Sequence, residues 1–94
     1  MQIGLLILEV NLPACGSLKE KRGRLKPLIN RLQKDYKLSV AEVDLHEVWQ
    51  SSIIACVMVS NDNKHTQSVL QKVSNWVERE WRDLELVDHR IEMV

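Results

Sequence analysis

The 94-residue sequence predicts a small α+β domain of order βαββαβ, a four-stranded antiparallel sheet with two helices on one face. Three observations carry this prediction. Four segments show strand-like patterning, two others repeat apolar residues at helical spacing, and the link between the two middle strands is too short for anything but a hairpin. The length supports one domain, residues 1–94, with one core between a sheet and a single layer of helices. At 45% hydrophobic residues the chain can bury enough surface to order itself, which excludes disorder.

Residues 2–12 alternate as a strand, with Gly4, Leu6, Leu8, Val10 and Leu12 on one face and Ile3, Leu5, Ile7, Glu9 and Asn11 on the other. Pro13 ends it, because proline cannot donate to a ladder. Ser17-Leu18-Lys19-Glu20 is a capping box that opens a helix. Leu18, Leu25, Leu28, Ile29, Leu32 and Tyr36 then form one apolar stripe. Pro27 removes a backbone bond and presses on the carbonyl of Gly23, so the expectation is a kink near 23–27 or a helix that restarts at Pro27. Residues 39–47 and 51–60 read as the hairpin strands. Val48-Trp49-Gln50 joins them, and no Asn-Gly or Gly-Gly names the turn. Ser60-Asn61-Asp62-Asn63 supplies capping residues for a second helix over about 63–82, whose stripe is Val69, Leu70, Val73, Trp76, Val77 and Trp81. Residues 84–94 alternate as the last strand. This is the split βαβ plan, with both crossovers expected to be right-handed.

Two cysteines, Cys15 and Cys56, fall short of a secreted disulfide framework and read as reduced thiols. The apolar start is interrupted by Glu9 and Asn11, has no basic n-region and is too short to span a bilayer. It reads as a strand, and the expected location is the cytoplasm. Net charge is zero but uneven: residues 17–37 carry eight Lys and Arg against Glu20 and Asp35, and the remainder of the chain carries the matching acidic excess. A concentrated positive segment points to an anionic partner.

Ser17-Leu18-Lys19-Glu20-Lys21-Arg22, Ser39-Val40-Ala41-Glu42-Val43-Asp44, Trp49-Gln50 and Val59-Ser60-Asn61-Asp62, in this order and at this spacing, resemble the signature of the YlxP-like family, small bacterial proteins of unknown function. The resemblance spans essentially the whole chain and implies a ferredoxin-like fold. It also implies a genomic neighbourhood with a transcription elongation factor, a translation initiation factor and a ribosome-binding factor, an association and not a mechanism. It brings no catalytic residues, and Pro27 departs from the family pattern.

The first candidate surface is the basic helix. Lys19, Lys21, Arg22, Arg24 and Lys26 cluster in its first half, where cations can neutralise phosphates; a solvated polar face would carry the same residues. The second is the sheet face left open by the helices. Its two central strands have no aromatics to stack bases, and the chain has no Phe. They are apolar on both faces, which calls for cover on both. A twofold homodimer through Ile3, Leu5 and Ile7, with Trp49 as an anchor where it is exposed, is the simplest cover. Glu42, Asp44 and His46 alternate on one strand face as a weak metal pattern, outweighed by an ordinary solvated or salt-bridged face. Cys15 lacks any nucleophile signature, and Cys56 reads as core. The expectation is a non-enzymatic binding module with no metal and no cofactor. It would meet RNA or the ribosome through the basic helix and a second copy through the sheet. The alternative is a homodimeric protein- or small-ligand-binding module with no nucleic-acid role.

Overall fold

A computed structural model describes residues 1–94. Six elements follow in order: β1 (Gln2–Asn11), α1 (Leu18–Tyr36), β2 (Ser39–Asp44), β3 (Ser51–Ser60), α2 (Asn63–Glu80) and β4 (Glu85–Met93). The sheet order is β2-β3-β1-β4 with every neighbour antiparallel, the expected ferredoxin-like arrangement. β1 is central because it can bury both faces. It pairs with β3 from Gln2–Ser60 to Asn11–Ser51 and with β4 on its other side. Leu6, Leu8 and Val10 of β1, with Ile54 and Cys56 of β3, meet Leu25, Leu28 and Leu32 of α1 and Leu70, Val73 and Val77 of α2 in one buried core. Ile3, Leu5 and Ile7 point the other way and are only partly covered.

Local signals set the element ends. The Ser17 hydroxyl accepts from the Glu20 amide at 3.0 Å. The Glu20 carboxylate accepts from Arg24, four residues on. Asp62 caps α2, with one carboxylate oxygen accepting from the amides of Lys64 and His65 at 2.9 and 3.2 Å. Lys37, in the left-handed region at φ 56°, stops α1. The restart expected at Pro27 does not occur: α1 is one helix through it. The proline forfeits a single ladder bond, and the stripe holds the helix to the sheet on both sides, through Leu25 before it and Leu28 and Leu32 after it.

The second strand is shorter than the expected 39–47. Its register with β3 slips between Glu42 and Asp44, so Val43 bulges, and Leu45 then turns the chain at φ 62°. The Val48 amide closes that turn on the Leu45 carbonyl at 3.0 Å. β4 carries a matching slip opposite Glu9 and Val10, which leaves Val87 unpaired. Each outer strand therefore has one bulge. On β2 the carbonyls of Val40 and Glu42, two residues apart and so pointing the same way, accept from Gln33 Nε2 at 3.4 Å and His46 Nε2 at 3.0 Å. Bulges and side-chain caps of this kind blunt a sheet edge against strand addition.

Candidate nucleic-acid interface

The basic helix divides into three groups of cations, according to how 3.6-residue periodicity distributes them around α1. Lys21 lies in the middle of the apolar stripe, three residues after Leu18 and four before Leu25, and is 1% exposed. Its ammonium donates to the Leu45 carbonyl at 2.6 Å and the Val48 carbonyl at 2.7 Å, and pairs with Glu42 Oε2 at 2.8 Å. That carboxylate oxygen also accepts from the buried Ser52 hydroxyl at 2.6 Å. Every Lys21 proton has a partner, so no phosphate can reach it. The placement of Lys21 in a nucleic-acid contact is corrected: it is the clamp of the β2–β3 loop.

Arg24 is engaged within the fold as well. Its guanidinium donates to the Asp83 side chain at 2.9 Å and the Pro13 carbonyl at 2.9 Å, and lies against Glu20. The hydrogen bond that it donates to the Asp83 carboxylate is the main reason that its pKa lies above the ordinary arginine value, ahead of a smaller opposing effect of burial. Arg24 ties α1 to the loops before it and after α2, and its charge is locally answered.

Lys19, Arg22 and Lys26 form the third group. All three are exposed, and none takes part in an ion pair. At i, i+3 and i+7 they share one flank of α1 and span about 10 Å of helix. Asn30 and Gln33 continue the row with no acid on it. Arg22 and Lys26 border a shallow groove of about 240 Å³ floored by Leu25 and Ile29, with Glu42 of β2 on its far side. Arg31, further along, is already engaged by Asp35 and lies over Trp76 at 5.4 Å.

The remaining sequence candidates do not assemble into a site. The bulge at Val43 and the end of β2 at Asp44 break the alternation of Glu42, Asp44 and His46: Glu42 serves Lys21, Asp44 accepts from the Leu45 amide, and His46 donates to the Glu42 carbonyl. Cys15 is buried, with its thiol against the Ser17 carbonyl at 3.5 Å. Cys56 is buried in β3, and burial pushes its thiol up to about 12, well above the range in which a thiolate forms at neutral pH. Neither thiol is expected to react with a disulfide probe in the native protein, while both react once denatured. Rapid labelling of the folded chain at either position would contradict this packing.

Trp49 lies in the β2–β3 loop beyond the strand ends and is half-exposed, beside the exposed Val48. Trp76 and Trp81 pack on the core with Tyr36, ring centroids 5.9 Å apart for Tyr36–Trp76 and 5.7 Å for Trp76–Trp81. Neither helix is long and apolar enough to cross a membrane.

Lys21 is the functional side chain whose role the sequence reading missed. The available signal was its position: a lysine on the centre of an apolar stripe faces the core unless it snorkels, and a buried ammonium needs acceptors.

The element order and the all-antiparallel sheet together define a small ferredoxin-like α+β domain. A family model described as "Protein of unknown function (DUF503)" matches residues 3–91, and the chain belongs to that family. It is also 33% identical over 63 residues to the "Uncharacterized protein YlxP" of Bacillus subtilis (strain 168), an alignment covering 67% of this chain and 68% of that protein.

Proposed function

We propose that this chain is a non-enzymatic binding module that docks on RNA through the flank of α1, as an accessory factor of an RNA-rich assembly such as the ribosome. The observation that carries the reading is the row of Lys19, Arg22 and Lys26, three exposed cations on one helical flank, none of them held in an ion pair. Such a row neutralises backbone phosphates without reading sequence. Positive features support a non-enzymatic role: both thiols are packed away, and Glu42 is committed to Lys21 and Ser52. The contact is electrostatic and not a stacking platform, since the open sheet face carries no aromatic side chain.

Three phosphate contacts predict binding of a single-stranded oligonucleotide whose log affinity falls against log salt with a slope of about −2. Each of Lys19→Ala, Arg22→Ala and Lys26→Ala is expected to flatten that slope by about 0.7. The triple Glu variant should abolish binding while the far-UV spectrum is unchanged. A wild-type protein that does not bind at low ionic strength, or whose binding ignores salt, defeats the proposal.

A further inference from the structure

We infer that the open face of the sheet is covered by a second copy of this chain, packed sheet on sheet. The inference goes beyond the RNA reading and stands without it, because the face lies on the side of the sheet opposite α1.

The face is apolar where the strands are longest. The cross-strand register places Leu5 beside Val57, Ile7 beside Ala55 and Ile3 beside Val59, all on the side away from the helices. Val59 is 61% exposed. Central strands that are apolar on both sides belong to sheets covered on both sides, and here the helices cover one. The outer strands are blunted by the bulges at Val43 and Val87 and by the capped carbonyls of β2, so the sheet is not built to extend edge to edge. The face itself is what remains to be buried.

Its size suits a protein partner. Ten residues of β1 and β3 at about 3.3 Å each, across four strands about 4.8 Å apart, give a face of about 600 Å². Two such faces together bury about 1,200 Å², the lower end of the range for specific stable interfaces.

Its charges select the partner. On the β4 side the same register brings Asp88, Arg90 and Glu92 onto this face beside Glu9, Ile7 and Leu5. Arg90 pairs with Glu92 at 2.8 Å and remains 67% exposed. A rim with an arginine set between acids repels a phosphate backbone or an anionic bilayer, having only one cation among them. It is self-complementary under a twofold axis, where the Arg90 of each copy meets an acid of the other. The two sheets then form a sandwich about 10 Å thick.

Light scattering coupled to size exclusion tests this with the whole chain. The expected mass is twice 10.9 kDa at high micromolar concentration. Val57→Asp should convert it to a monomer of unchanged circular dichroism. Arg90→Glu, a change at an exposed side chain that leaves the fold intact, should weaken self-association at least tenfold, and it decides the matter if Val57→Asp fails to fold. A wild-type monomer at that concentration overturns the inference, as does a dimer indifferent to Arg90→Glu. Loss of RNA binding in the Lys19, Arg22 and Lys26 variants with the dimer intact separates the two proposals.

Discussion

Lys21→Met is expected to cost about 3–5 kcal/mol of folding stability, the penalty for leaving one partner of a buried ion pair alone. In a domain of this size that corresponds to a fall in Tm of at least about 12 °C. The residue removed is a cation on a helix already crowded with cations, so a surface view of the helix would expect no loss. The opposite result follows from what Lys21 holds. Without its ammonium, the Glu42 carboxylate, 18% exposed, keeps only the Ser52 hydroxyl, the Val48 carbonyl loses its side-chain donor, and the Leu45 carbonyl keeps only the Val48 amide. Leu45 is also held at φ 62°, a conformation a leucine adopts only where its surroundings impose it. Adding Glu42→Met to Lys21→Met should restore about 1–3 kcal/mol, since the stranded charge is gone and what remains unpaired is neutral: the Val48 carbonyl and the buried Ser52 hydroxyl. The double-mutant cycle then reports a coupling that the individual substitutions conceal. A Lys21→Met protein within about 1 kcal/mol of wild type, in thermal or denaturant melts, would sink the assignment of a buried clamp.

The clamp changes how the basic helix must be probed. Reversing charge at Lys21 measures unfolding and not affinity, and reversing it at Arg24 loosens the joint with Asp83 and Pro13. Lys19, Arg22 and Lys26, exposed and outside any ion pair, are the positions where a charge change tests the proposed RNA contact without disturbing the fold. The surplus of positive charge in residues 17–37 therefore serves two ends: part of it staples the fold, and part of it faces solvent on the flank beside β2.

The fold was legible because each of its signals is local and repeated. β1 and β3 were recognisable from their apolar, strand-patterned segments, and α1 and α2 from capping residues, Ser17 and Asp62, that accept the very amides their positions require. What the sequence concealed depended on one residue answering another far along the chain. The end of β2 could not be read from 39–47, because the alternation continues in sequence after the bulge at Val43 has broken it in space. The turn carried no glycine, and Leu45 takes the left-handed conformation that a glycine would have announced. The division of the basic cluster into clamp, joint and free row depended on acceptors 24 and 27 residues away for Lys21, and 59 away for Arg24. Periodicity alone could have singled out Lys21, because its place on the stripe is visible; the acceptors are not.

Gly4→Ala is expected to cost about 2–3 kcal/mol, a large effect for a single methyl group, because α2 crosses β1 at this residue with no room for a side chain. A Cβ at position 4 would lie 2.3 Å from Thr66 Cγ2 and 2.9 Å from Leu70 Cδ1. Neither neighbour can easily give way. Leu70 is fully buried in the core, and Thr66 is fully buried with its hydroxyl 2.6 Å from that of Ser60. Rotating Thr66 away exchanges a clash for an unpaired buried hydroxyl, itself worth about 1–3 kcal/mol. Thr66→Ser removes the offending methyl and keeps the hydroxyl, so it destabilises the wild type by vacating packed space but should recover about half of the loss in the Gly4→Ala background, a coupling of opposite sign that only direct contact produces. Gly23→Ala is the matched control: an added Cβ there meets nothing within 4 Å, and an alanine inside α1 should stabilise the protein by about 0.5–1 kcal/mol. Denaturation midpoints measured at constant slope would separate the two glycines. If Gly4→Ala proved as harmless as Gly23→Ala, the close approach of α2 to β1 that seals the core beneath the open face would have to be abandoned.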